Sequence, residues 1–139
     1  VNKGVTAPGQ QSAVTAPEVK TPERQPAEEF VIDPAEIDRR FSHLMAKMDR
    51  GLRRLKSGKM TLQEITDMMQ LIGTEYQTIY GKVRTDYRAK YPQKSAVDVE
   101  YALIRAYEKS RITYQYMDFM RACSDSINSR GKAPLERFQ

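Results

Sequence analysis

Apolar residues recur at Leu62, Ile65, Met69, Ile72, Tyr76, Ile79 and Val83, with steps that alternate between three and four. Such steps keep the side chains on one face of an α-helix. Thr61 followed by Glu64 reads as a capping box at its start. Pro92 sets its end, because the residue before a proline is pushed out of helical geometry. The pattern predicts a helix over 61–91, about 45 Å long at about 1.5 Å per residue. A single helix cannot cover its own apolar stripe, so it needs helical neighbours.

Two flanking stretches supply them. Asp33-Pro34-Ala35-Glu36 opens the first: Asp33 suits the N-cap, Pro34 the first helical position, and Glu36 completes a capping box. Ile37, Phe41, Leu44, Met45, Met48, Leu52 and Leu55 then form one face up to Ser57-Gly58, which gives a helix over 34–57. Gly51 weakens its interior by about 1 kcal/mol relative to alanine. The short link through Lys59 and Met60 makes the first two helices antiparallel neighbours. Ser95 caps the third helix, with Asp98 completing the box, and the helix is expected over 96–128, ended by Ser129 to Pro134. Val99, Leu103, Ala106 and Ser110 share a stripe, and the small residues Ala102, Ala106 and Ser110 permit close approach of another helix. Phe30-Val31-Ile32 reads as a hydrophobic staple onto the first helix, the alternative being a short docking peptide.

The expected fold is therefore all-α: three long helices, a hairpin plus a third helix, in an up-down-up bundle over 30–128. The core runs through Ile37, Phe41, Leu44, Met48, Leu52, Leu55, Ile65, Met69, Ile72, Ile79, Val83, Leu103 and Ala106. Residues 1–29 are foreign to this pattern. With Pro8, Pro17, Pro22 and Pro26 and no aromatic residue, they are expected to be a disordered arm or linker. Residues 129–139 are expected to be a mobile tail.

One stretch departs from simple amphipathicity. Between Ile112 and Cys123, Met117 and Met120 continue the inward stripe, while Ile112, Tyr116, Phe119 and Cys123 form a second one well round the helix. A helix apolar on most sides must be covered on most sides. Ile112, Tyr116, Phe119, Met120 and Cys123 are therefore expected to be a protein interface, with internal core as the alternative, lidded by Phe30 or Phe138.

Charge adds a second candidate. The chain has 139 residues and a formal net charge of +5, with a pI near 9.3 and a mean hydropathy of −0.68. Arg39, Arg40, Lys47, Arg50, Arg53 and Arg54 lie opposite the apolar face of the first helix. They form either a solvated face or a surface for an anionic partner, nucleic acid included. The tyrosines of the second and third helices follow the helix period, which favours rings at the edge of the core over a base-stacking platform.

Candidate chemistry changes the picture little. His43 is the only histidine and Cys123 the only cysteine, so neither an internal disulfide nor a structural zinc site is expected. The chain has no phosphate-loop or dinucleotide-binding glycine motif, and its carboxylates scatter over helix surfaces. No catalytic, cofactor or metal site and no small-molecule substrate are expected. No signal peptide or membrane span is visible, so the expectation is a soluble protein, cytoplasmic or part of a multiprotein assembly. The plan of flexible arm plus helical hairpin is similar to that of many small subunits of secretion machines, virions and other filaments or rings. The expected function is a non-enzymatic assembly subunit or adaptor, packing against itself or a scaffold. The alternative is a nucleic-acid-binding accessory protein using the basic face.

Overall fold

Each predicted helical stretch forms, and two of the three are broken once. The computed structural model describes residues 30–136, with side chains to residue 130. The expectations for residues 1–29 and for Phe138 lie outside the described residues. The helices are α1 (Pro34–Arg40), α2 (Ser42–Lys56), α3 (Leu62–Lys90), α4 (Ala96–Glu108) and α5 (Arg111–Glu136). The chain is all-helical among the described residues, but with five helices where three were expected. They fall within the three predicted stretches, called staves below: α1–α2, α3 and α4–α5. The helical unit begins at Val31.

The stave directions follow from the cross-links. Arg40 pairs with Asp86, Lys47 with Glu75 and Arg54 with Glu64, so positions fall on α3 as they rise along α1–α2. These staves are antiparallel. Between the first and third staves both numbers rise together: Asp38 binds the start of α5, Gln115 reaches Met45 and Asp49, and Arg130 reaches Gly58 and Met60. α5 therefore runs parallel to α1–α2 and antiparallel to α3.

The α3 start is as expected. The Thr61 hydroxyl accepts from the Glu64 amide at 3.1 Å, and the Glu64 carboxylate accepts from the Thr61 amide at 2.8 Å. Tyr91 is its C-cap, just before Pro92. Asp33 caps α1 through the Ala35 amide and Ser95 caps α4 through the Asp98 amide. Glu36, however, does not close a box with Asp33. Its carboxylate accepts from the Tyr87 hydroxyl on α3 instead, and Tyr87 is buried.

The two breaks differ in consequence. At Phe41 the backbone leaves helical geometry for one residue (φ −106°, ψ 10°), yet Ile37, Phe41, Leu44 and Met48 stay on one buried line. At Lys109–Ser110 the helix stops. The Ser110 and Thr113 hydroxyls both donate to the Tyr107 carbonyl, at 2.8 and 2.7 Å, and so satisfy an acceptor that a continuing helix would have used. The new helix is capped from elsewhere: Asp38 of α1 accepts from the Arg111 and Ile112 amides at 3.1 and 2.9 Å. This break re-phases the stave, as described below.

The core contains Ile37, Phe41, Leu44, Met48, Ile65, Ile72, Val83, Leu103 and Ala106 as expected, while Leu52, Leu55, Met69 and Ile79 are only half-buried. It also takes in Ile32, Met60, Tyr87, Val99, Ala102, Tyr107, Ile112, Phe119 and Cys123. Of the proposed staple, Ile32 is buried and Val31 exposed. At the level of the breaks the filling is aromatic. Tyr76 of the unbroken stave stacks on Tyr116 at 4.1 Å, Tyr80 stacks on Tyr107 at 4.7 Å, and Phe41 lies against Tyr76 and Tyr107.

Gly51 has a structural reason. A Cβ there would lie 2.8 Å from Met68 Sδ and 3.0 Å from Phe119 Cε1, so α2 approaches both α3 and α5 at this point. At the end of α2, Gly58 turns the chain with φ 76°, where a side chain would be strained. Arg130 then donates to the carbonyls of Gly58 and Met60, holding this turn from α5. The helix α5 thus runs on to Glu136, past its expected end near Asn128 and through Gly131 and Pro134.

Candidate interaction surfaces

The stripe expected to meet a partner is turned inward. Ile112, Phe119 and Cys123 have no exposure at all, and Tyr116 and Met120 are half-buried. Phe119 lies against Gly51 of α2, and the Tyr116 hydroxyl and Met120 lie near Gly73 of α3. The physical reason is the break at Lys109–Ser110. A continuous helix would carry the Val99–Leu103–Ala106 line on through Met117. Past the break the buried positions change phase: Ile112, Phe119 and Cys123 are inward, and Tyr114 and Met117 face out. Burial also pushes the Cys123 thiol up to about 11, which keeps it protonated and unreactive near neutrality.

The basic face of α1 and α2 is partly occupied. Arg40, Lys47 and Arg54 reach carboxylates on α3, at 2.6, 2.7 and 3.9 Å. Arg39, Arg50 and Arg53 make no ion pair with another described residue. His43 is exposed on α2.

Most of the tyrosines sit within the bundle. Tyr76, Tyr80, Tyr107 and Tyr116 stack among themselves, and Tyr87 is tied to Glu36. Burial raises the pKa of Tyr76, Tyr107 and Tyr116 above the ordinary phenol value. The Tyr107 hydroxyl finds no hydrogen-bond partner among the described residues, because the rings of Phe41 and Tyr80 surround its ring. Tyr101 and Tyr114 are the exposed ones.

Besides Tyr114 and Met117 of α5, two apolar surfaces face outward among the described residues. The first is the outer side of α4. Its inner side buries Val99, Ala102, Leu103, Ala106 and Tyr107, yet Val97, Tyr101 and Ile104, at helical spacing, are 67, 61 and 44% exposed. The Arg105 guanidinium lies 5.6 Å from the Tyr101 ring centroid. The stripe of Val99, Leu103 and Ala106 drawn from the sequence marks only the opposite, inward side of this helix. The four-then-three spacing of Val97, Tyr101 and Ile104 was the available signal. The second is a groove of about 560 Å³ between α2 and α3. Gly51, Met68, Leu71 and Ile72 give it an apolar floor and lip, and Leu71 is 71% exposed. Lys47, Arg50 and Arg54 form one wall, Glu64, Asp67 and Glu75 the other.

Among the described residues no helix is long and apolar enough to cross a membrane. Among the described residues no cluster of three or more histidine, cysteine, aspartate or glutamate side chains is placed to hold a metal ion. Comparison of the chain with protein-family models, with curated proteins and with solved structures gives no match, so the reading of these surfaces rests on their own chemistry.

Proposed function

We propose that this chain is a non-enzymatic assembly subunit or adaptor that packs against partner protein through the outer face of α4. The observation that carries this reading is the exposed line of Val97, Tyr101 and Ile104 on a helix whose other side is already buried. Apolar area left in water forgoes about 25 cal/mol per Å², and a contiguous patch of it marks a contact surface. A tyrosine backed by an arginine is the combination enriched at the energetic centres of protein interfaces. The nucleic-acid alternative is weaker, because Arg40, Lys47 and Arg54 are held by α3 carboxylates.

Photo-crosslinking in the cells that make the protein tests the reading. A benzoylphenylalanine in place of Tyr101 should give discrete protein adducts, while the same residue in place of Arg53 gives none with nucleic acid. No protein adduct from position 101, or nucleic-acid adducts from position 53, overturns the proposal.

A further inference from the structure

The groove between α2 and α3 has a charge pattern that one occupant satisfies twice. At one end Lys47 pairs with Glu75 and at the other Arg54 pairs with Glu64. Between these two straps, Arg50 on the basic wall and Asp67 on the acidic wall have no ion pair with each other or with another described residue. Asp67 accepts only from the Gln63 side-chain amide one turn back. The groove thus presents an unpaired cation and an unpaired carboxylate on opposite walls, both between the same two straps and within about a helical turn of each other. An exposed leucine, Leu71, stands beside them above a floor of Met68 and Ile72.

We propose that the occupant is a second copy of this chain, related by a two-fold axis running along the groove. A two-fold interface joins a patch to itself, so the patch must be self-complementary. An axis along the groove lays the α2 wall of each copy on the α3 wall of the other. Arg50 of each then meets Asp67 of the other, and each Leu71 enters the opposite groove. An axis across the groove would set α2 on α2 and basic wall on basic wall, which the charges disfavour. With the axis along the groove, α2 and α3 of both copies make a four-helix layer with antiparallel neighbours and a centre of Met68, Leu71 and Ile72. The contact spans about three helical turns, so the dimer is reversible and depends on concentration.

The inference deepens the assembly reading but uses a different face from α4, so the two can fail separately. The test is sedimentation of the full chain over a wide concentration range, with Arg50→Glu and Asp67→Arg. The wild type should pass from 16.0 kDa to twice that mass as concentration rises. Each variant alone brings like charges together at both contacts and should stay a single chain. An equimolar mixture of the two variants restores two attractive contacts and should dimerise again. Leu71→Asp should be a single chain in every mixture. Both charges are on exposed side chains, so circular dichroism melting of the variants should match the wild type. A wild type that remains a single chain overturns the inference, as does a dimer indifferent to the substitutions or a mixture that fails to re-associate. Loss of the crosslink from position 101 with this pattern intact would instead refute the α4 surface alone.

Discussion

Asp38 is asked to cap a helix that begins 73 residues later, and its removal gives the sharpest test of how the staves are joined. In Asp38→Ala the Arg111 and Ile112 amides lose acceptors at 3.1 and 2.9 Å. Loss of an N-cap costs about 1 kcal/mol. Here the acceptor is a carboxylate facing the positive end of a helix dipole, which adds about 0.3–1 kcal/mol. The Ile112 amide is also part-buried, so leaving it unpaired costs about 1 kcal/mol or more. These contributions overlap, and the expected total is about 2–3 kcal/mol. For a helical unit of this size that lowers the melting temperature by roughly 10 °C. Asp38→Asn keeps an acceptor without the charge and should lose about half as much. The assay is thermal melting by circular dichroism, joined to amide hydrogen exchange, in which Arg111 and Ile112 should lose protection before the rest of α5. The control is Asp118→Ala, which breaks an exposed pair with Arg121 within one helix and should cost less than about 0.5 kcal/mol. Equal effects for Asp38→Ala and Asp118→Ala would refute the cross-stave cap.

The phase change in the third stave predicts that Phe119→Ala costs about 3–5 kcal/mol in urea denaturation and Met117→Ala no more than about 0.5; the opposite order would mean that α5 is phased as a continuous helix. Gly51→Ala gains about 1 kcal/mol of helix propensity but sets its Cβ against Met68, which can yield by turning, and against the buried Phe119 ring, which must shift, so it should cost about 1 kcal/mol net. Gly51→Val, which crowds Phe119 further, should cost about 2 kcal/mol or more at an unchanged denaturant slope. Cys123 should resist Ellman's reagent in the native protein near pH 8 and react at once in urea. Its pKa is raised on folding to about 11, so the unfolded chain loses its proton first; stability is full below about pH 8.5 and falls as pH rises toward 11. The tyrosines raised by burial act in the same direction, and a urea midpoint that stays flat across that window would contradict the burial of these groups.

The parts of this fold that are legible in the sequence are those fixed by neighbours along the chain. The Thr61–Glu64 box, the Asp33 and Ser95 caps and the stop before Pro92 are local devices, and each is where the sequence puts it. What stays hidden is set by residues distant in sequence. Ser110 reads as a small residue of the inward stripe and Thr113 as an ordinary helix residue until their hydroxyls close on the Tyr107 carbonyl, and the cap that restarts the helix sits on α1. The surplus of apolar positions between Ile112 and Cys123 was the trace of that break, open to being read as a second surface. Gly51 reads as a helix-weakening residue because its compensation, close approach to Met68 and Phe119, is tertiary. The basic face reads as free because Asp86, Glu75 and Glu64 come opposite only once the hairpin register is known. Of the two outward apolar surfaces, the α4 line follows from spacing, whereas the α2–α3 groove needs two helices in register.

An odd number of staves decides where the chain enters and leaves. The first stave rises, α3 descends, and the third rises again beside the first, tied to it near the bottom by Asp38 and near the top by Arg130. Residue 31 and residue 130 therefore lie at opposite poles, roughly 35–40 Å apart at about 1.5 Å per helical residue. A two- or four-stave bundle would return its ends to one side; this one leaves them at opposite poles. Tension between the poles would slide the first and third staves past each other, so that their ties would share the load, where a hairpin pulled from one end would unzip tie by tie.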